Sequence, residues 1–284
     1  MSAHARLDPP ADDLPLAAPA AASSSVAPSP SLMPARLPPR ALLLGPALLL
    51  AIWEAASRLG WLSPETLTAP SQALLTGLQM LRDGSLLPHL LASAARAYSG
   101  LFIGLATGVV LALLSGLTRS GEALIDGLVQ VKRAIPTLAL IPLAILWLGI
   151  GEAMKIFLIA TAVFVPIYIN THAALRGIDI GHVELARTLH LSRATFLRKV
   201  ALPGALPGFF TGLRLAVSLC WTALVVLELI NTQTGIGYLM NRARDWGQTD
   251  VIVVGILIYA VLGLLSDLVV RAIEARVLRY RRTA

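Results

Sequence analysis

DIGHVELARTLHLSRATFLRKVALP, from Asp179 to Pro203, is a charged island between two long apolar runs. Placed on a helix, Ile180, Val183, Ala186 and Leu189 recur every three residues and share a face, while Glu184, Arg187 and Thr188 point elsewhere. That is a short amphipathic helix. His190-Leu191-Ser192 turns the chain, and Ser192 is placed to cap a second short helix from Arg193 to Val200. Pro203 is expected to stop that second helix, because proline disfavours helical geometry in the residue before it. The stretch predicts a hairpin of two short helices lying on a membrane surface.

The composition around it says why a membrane. The chain has 284 residues, of which 56% are hydrophobic and only 14% charged, and its mean hydropathy is +0.74. Those values lie far from the balance of a soluble domain and define an integral membrane protein. The net charge of +7 does not indicate nucleic acid, because the basic residues sit at the ends of apolar runs rather than on one polar face interleaved with aromatics. Cys220, the one cysteine, lies inside an apolar run, so there is no disulfide framework, no CxxC and no pair of metal ligands.

Residues 1–40 are rich in Pro, Ala and Ser without sustained periodicity, which predicts a disordered tail. It lacks the basic start and apolar centre of a signal peptide, so the first apolar run is expected to remain as an anchor. Six apolar segments follow, each near the roughly 20 residues that cross about 30 Å of hydrocarbon. They run from Ala41 to Leu59, Leu91 to Leu117, Ile135 to Ile150, Ala153 to His172, Ala205 to Ile230 and Val251 to Val270. Pro136 and Pro142 interrupt the third, which marks either a position beside a pore or a simple kink.

Charge orients these spans. With the hairpin inside, the cytoplasmic side holds most of the basic residues, among them Arg6, Arg36, Arg40, Lys132, Arg133 and Arg282. The outside holds Arg58, Arg82, Arg96, Lys155, Arg242 and Arg244. This asymmetry predicts cytoplasmic termini. Within the spans, Arg214 lies about 16 Å past Pro203 at 1.5 Å per residue. An arginine there attracts an anionic solute, snorkels, or pairs with a carboxylate on a neighbouring helix. Glu228, near the outer end of the same run, would repel an anion and fits a gate or an ion pair better than a ligand contact. Asp267 and Arg271 are spaced as a helix-face pair, and Glu54 has no evident partner.

No GxxxxGK[ST] loop, HExxH, GxSxG or paired acidic cluster occurs, so the chain has neither a phosphate loop of its own nor a catalytic cluster. A membrane-embedded enzyme would need such a cluster. A secondary transporter or channel would be expected to show inverted repeats or several intramembrane ionisable residues, and neither is clear here.

The island also resembles the coupling loop of ABC importer permeases, whose pattern is Glu-Ala-Ala, three residues, Gly, nine residues, Ile, one residue, Leu-Pro. Glu184-Leu185-Ala186 opens it, His190 stands at the glycine, and Val200-Ala201-Leu202-Pro203 closes it. Leu185, His190 and Val200 depart from the pattern, and His190 matters because glycine takes a left-handed turn more cheaply. The resemblance extends through KRAIPTLALIPLAILWLGIGEAMKIFLIA (132–160), VFVPIYINTHAALRGID (163–179) and TGIGYLMNRARDWGQTDVIVVGILIYAVLGLLSD (234–267). These stretches are similar to permeases for nitrate, sulfonates, taurine and pyrimidine precursors, and most similar to the aliphatic sulfonate permeases.

The resemblance implies an all-α type I importer permease of six transmembrane helices, with its core at about 88–272 and its coupling loop at 179–203. It also implies two copies of this chain in membrane lipid, two ABC ATPase subunits carrying ATP and Mg, and a periplasmic solute-binding protein. In that assembly Glu184, Leu185, Ala186, His190, Val200, Leu202 and Pro203 would couple to the ATPase. Arg214, Glu228, Pro136 and Pro142 are the candidates for the translocation path.

Overall fold

The computed structural model describes residues 44–230 and 232–281. The tail expected before residue 41, with Arg6, Arg36 and Arg40, lies outside the described residues, as do Asn231 and Arg282. Contacts divide the chain into Met1–Pro46 and Ala47–Ala284, and the architecture below is that of the second unit.

The described elements are α1 (Leu44–Arg58), α2 (Pro70–Arg82), α3 (Leu86–Leu117), α4 (Arg119–Gly121) and α5 (Gly127–Ala134), followed by α6 (Ile141–Leu148), α7 (Glu152–Arg176), α8 (Ile180–Thr188) and α9 (Arg193–Phe196). The chain closes with α10 (Leu202–Leu229), α11 (Ile236–Asp245) and α12 (Thr249–Val277). No strand occurs among the described residues. Four continuous helices are long and apolar enough to cross a membrane: Leu86–Leu117, Glu152–Arg176, Arg193–Leu229 and Thr249–Tyr280. A bent pair, Arg119–Ala134 with Thr137–Leu148, makes a fifth candidate. The first expected span, from Ala41, is described only as the 15 residues of α1.

Two expectations are corrected here, and proline explains both. The third expected span, Ile135 to Ile150, does not cross alone: Thr137–Leu148 reaches a span's length only together with Arg119–Ala134, as a broken span or a re-entrant loop, with a bend of 93° between them. Pro136 offers no N–H to the carbonyl four residues back and forces Ile135 into an extended conformation, φ −90° and ψ 117°. Pro142 breaks nothing, because it sits in the first turn of α6, where a missing N–H costs no bond. Pro203 likewise does not stop the hairpin's second helix. A π-helical segment, Leu197–Ala201, joins α9 to α10, and Pro203 falls in the first turn of α10. The wider π turn admits the ring without ending the helix.

The bundle is built on α7. Met154, Leu158, Ile159, Val163, Ile167 and Tyr168 are fully buried along it. In lipid, apolar side chains gain little by leaving the solvent, so helices associate by close packing over small residues. α3 presents Gly100, Gly104 and Gly108 to α7, four residues apart on one face. A Cβ at Gly104 would stand 2.6 Å from the Ala160 carbonyl oxygen, and one at Gly108 2.8 Å from that of Phe164. α10 approaches the other side of α7 over Gly212, where a Cβ would stand 2.7 Å from the Pro166 carbonyl oxygen.

Glu54 gains a structural role that its sequence context did not reveal. Its carboxylate accepts from the Ser71 amide at 3.0 Å and the Ser71 hydroxyl at 2.7 Å, and pairs with Arg58 at 2.6 Å. It thus sits at the N-terminus of α2, where unpaired amides favour an anion. The helix-face pair Asp267–Arg271 forms as expected, at 2.6 Å.

Candidate functional site

The hairpin is assembled from local caps. Asp179 accepts from the Gly181 amide at 2.8 Å to start α8, and Ser192 accepts from the Thr195 amide at 3.2 Å to start α9. Between them His190 takes φ +49°, the one positive φ outside glycine among the described residues. Its amide donates to the Arg187 carbonyl at 3.0 Å and the Leu191 amide to that of Ala186 at 3.0 Å. This pair of bonds is a Schellman motif, which ends α8 by satisfying two of its last carbonyls. Histidine therefore makes the turn that glycine would make, at a backbone cost of about 1 kcal/mol.

The tip and base of the hairpin differ. Glu184 and His190 are exposed, as is Leu185 at 57%, and Ile180 and Leu189 of the expected apolar face are open as well. Ala186 is buried. At the base, Ile178, Phe196 and Leu197 pack against Leu175, Ala201 and Ala205. Val200 is half-buried, Leu202 is exposed at 40%, and the Pro203 carbonyl accepts from the Tyr280 hydroxyl at 2.5 Å. An exposed tip on a base packed into α7 and α10 has the form of a lever.

At the other end of the bundle lies a buried charge network. Glu228 has a side chain with no exposure. Its carboxylate accepts from Ser93 Oγ at 2.8 Å, Arg96 Nη1 at 2.7 Å, the Gly237 amide at 2.9 Å and Tyr259 OH at 2.8 Å. Arg96, 5% exposed, also makes a bidentate pair with Glu152 at 2.5 and 2.8 Å and donates to Thr234 O at 2.6 Å and Thr234 Oγ1 at 3.0 Å. Every N–H of the guanidinium has a partner. The network ties α3, α7, α10 and α12 to the turn before α11, and it sets a carboxylate against the N-terminus of α11. Gly235 closes that turn at φ +122°, where a Cβ would stand 2.6 Å from both Arg96 Nη1 and Glu228 Oε1.

The candidates for the path are thus not gathered in one place. Glu228 is the centre of an ion-pair network. Arg214, 14 residues earlier on α10 and so about 21 Å away, pairs with Glu274 of α12 at 3.5 Å. Pro136 makes the bend and Pro142 starts α6. Arg96 and Lys155, assigned to the outer side, are buried, with Lys155 3.4 Å from Glu152. A lone Glu228 inside an apolar run was a signal that a cation must meet it. Lys132, expected on the cytoplasmic flank, reaches Thr161 O in the middle part of α7 at 2.8 Å.

Apolar spans packed over glycine around one central helix, with a capped hairpin at one end, are the arrangement of a helical membrane protein. The chain belongs to the ABC importer permease family described as binding-protein-dependent transport system inner membrane component, which matches residues 86–279. It is 46% identical over 235 residues to the putative aliphatic sulfonates transport permease protein SsuC of Escherichia coli K12, covering 83% of this chain and 89% of that protein. It is 39% identical to the SsuC of Bacillus subtilis 168, with 85% and 87% covered, and 35% identical to the taurine transport system permease protein TauC of E. coli K12, with 81% and 86% covered. Among solved structures, an amino acid ABC transporter crystallised with histidines matches at a TM-score of 0.60 and 17% identity, covering 70% of this chain and 97% of that one. The inward-facing MetNI methionine ABC transporter matches at 0.53 and 21%, covering 66% and 95%. These two likenesses concern the fold alone.

Proposed function

We propose that this chain is the permease of an ATP-driven importer for aliphatic sulfonates. It works as two copies in the inner membrane, with two ATP-binding subunits that hold ATP and Mg and a periplasmic protein that delivers the solute. The observation that carries this reading is the hairpin: a capped, exposed tip at Glu184–His190 on a base packed into α7 and α10. Closure of an ATPase dimer displaces such a tip, the packed base moves with it, and the bundle shifts between outward-facing and inward-facing forms. Both termini and the hairpin face the cytoplasm in this scheme, as the basic residues imply.

The solute class is supported by the names of the relatives at 46% and 39% identity. A taurine importer is the second reading, supported by the relative at 35%. The test is growth on ethanesulfonate or on taurine as sole sulfur source of a host lacking its own sulfonate permeases, supplied with this chain, its ATPase and its binding protein. Growth on ethanesulfonate is expected. Growth on taurine alone favours the second reading, and growth on neither contradicts both.

A further inference from the structure

Lys132 is the last basic residue but one before the bend in the third span. Its Nζ donates to the Thr161 carbonyl and to Thr137 Oγ1, each at 2.8 Å, and stands 5.7 Å from the centre of the Phe164 ring. All three partners are neutral, and no ion pair among the described residues includes it. Two polar ties locate it along the bundle. Arg176 pairs with Glu122 at 3.1 Å at the hairpin end, and Glu152 pairs with Arg96 at the far end. Thr161 lies between them on α7, about 14 Å from Glu152 and about 22 Å from Arg176 at 1.5 Å per residue.

An ammonium at that depth is costly, and neutral acceptors solvate it without cancelling its charge. Arg96 and Arg214 are different, since each meets a carboxylate. The backbone beside Lys132 is also open, because Pro136 breaks the helix there and the span turns through 93°. Non-helical backbone at membrane depth is tolerated where it is packed in protein or lines a watery cavity. Thr137 accepts from Lys132 and keeps its own O–H free to donate. An uncompensated cation and a free hydroxyl, side by side at a bend, form a two-point contact for an oxyanion.

We propose that Lys132 and Thr137 contact the anionic head of the solute, a monoanionic sulfonate, as it passes the middle of the bundle. This rests on the reading of the chain as an importer permease. The ammonium selects for net negative charge, so a zwitterionic aminosulfonate is drawn less strongly than an alkanesulfonate.

The test uses the complete transporter in vesicles, at matched amounts of assembled complex and saturating loaded binding protein. Lys132→Gln keeps N–H donors for Thr161 O and loses the charge, while Lys132→Arg keeps the charge. Ethanesulfonate uptake is expected to fall about tenfold or more in Lys132→Gln and to persist in Lys132→Arg, with taurine uptake falling less. Unchanged ethanesulfonate uptake in Lys132→Gln overturns the proposal, and so does an equal loss in both variants, which marks a purely structural lysine. A second measurement does not depend on the solute. In a chain carrying Cys220→Ala, Lys132→Cys is exposed to a membrane-impermeant anionic methanethiosulfonate, with and without ATP. Labelling in at least one state is expected, and no labelling in either overturns the proposal. If the unaltered assembly takes up no sulfonate, the solute reading fails and the labelling alone decides the placement of Lys132 on the path.

Discussion

At the scale of the residue, Glu228 shows how a single buried charge is tolerated in an apolar helix. Four kinds of donor surround its carboxylate, and one of them, Arg96, is itself saturated. Removing Glu228 leaves Arg96 paired with Glu152 but strips the Gly237 amide and the Ser93 and Tyr259 hydroxyls of their acceptor, and a buried donor left unsatisfied costs about 1–3 kcal/mol. Glu228→Ala is therefore expected to lower the thermal unfolding temperature of the purified protein markedly, and an unchanged temperature would contradict the network's role. His190 predicts the opposite sign. His190→Gly removes the left-handed cost of about 1 kcal/mol, part of it offset by glycine's freedom in the unfolded chain. The amides of residues 190 and 191 should then exchange hydrogen more slowly, and faster exchange would refute the account of the turn. Residue 190 was legible in the sequence because a turn is local. The Arg96–Glu228 bond was not, because it joins positions 132 apart, and nothing in the neighbourhood of either names the other.

At the scale of the element, α7 is positioned by glycine faces on α3 and α10, so its packing should be sensitive to volume on those faces. Gly104→Val places a side chain against the Ala160 carbonyl and Val163, and overpacking of this kind costs about 1–3 kcal/mol. A loss of thermal stability is expected for it, with a much smaller effect at Gly127, where an added Cβ meets nothing within 4 Å. Equal effects at the two positions would contradict close packing of α3 on α7. Gly100, Gly104 and Gly108 were not singled out from the sequence, and their four-residue spacing alone does not say which helix faces them. The hairpin makes the functional prediction at this scale. Glu184→Lys adds a cation to a tip that already carries Arg187 and is expected to uncouple ATP hydrolysis from uptake. Unchanged stimulation of ATPase by loaded binding protein in the assembled variant would refute this. The hairpin's existence followed from the Ser192 cap and the amphipathic pattern, whereas the Asp179 cap and the continuity of its second helix through Pro203 did not, since a π turn leaves no mark in the hydrophobic period.

At the scale of the whole molecule, polar ties bracket the bundle: Arg96, Glu152 and Glu228 at one end, Glu122–Arg176 and the hairpin at the other. The helical class and most of the spans were legible from hydropathy, because lipid demands long apolar segments with internal hydrogen bonding. The 93° turn at Pro136 was legible as a break but not as a direction, which depends on what α6 packs against. The central claim is that the hairpin couples this bundle to an ATPase for the uptake of a sulfonate. ATPase activity of the chain assembled with its ATPase in lipid vesicles, with and without binding protein loaded with ethanesulfonate, tests it most directly. Stimulation by the loaded binding protein alone is the predicted result. Activity indifferent to the loaded protein, or failure of the chain to assemble with an ATPase, would contradict the account.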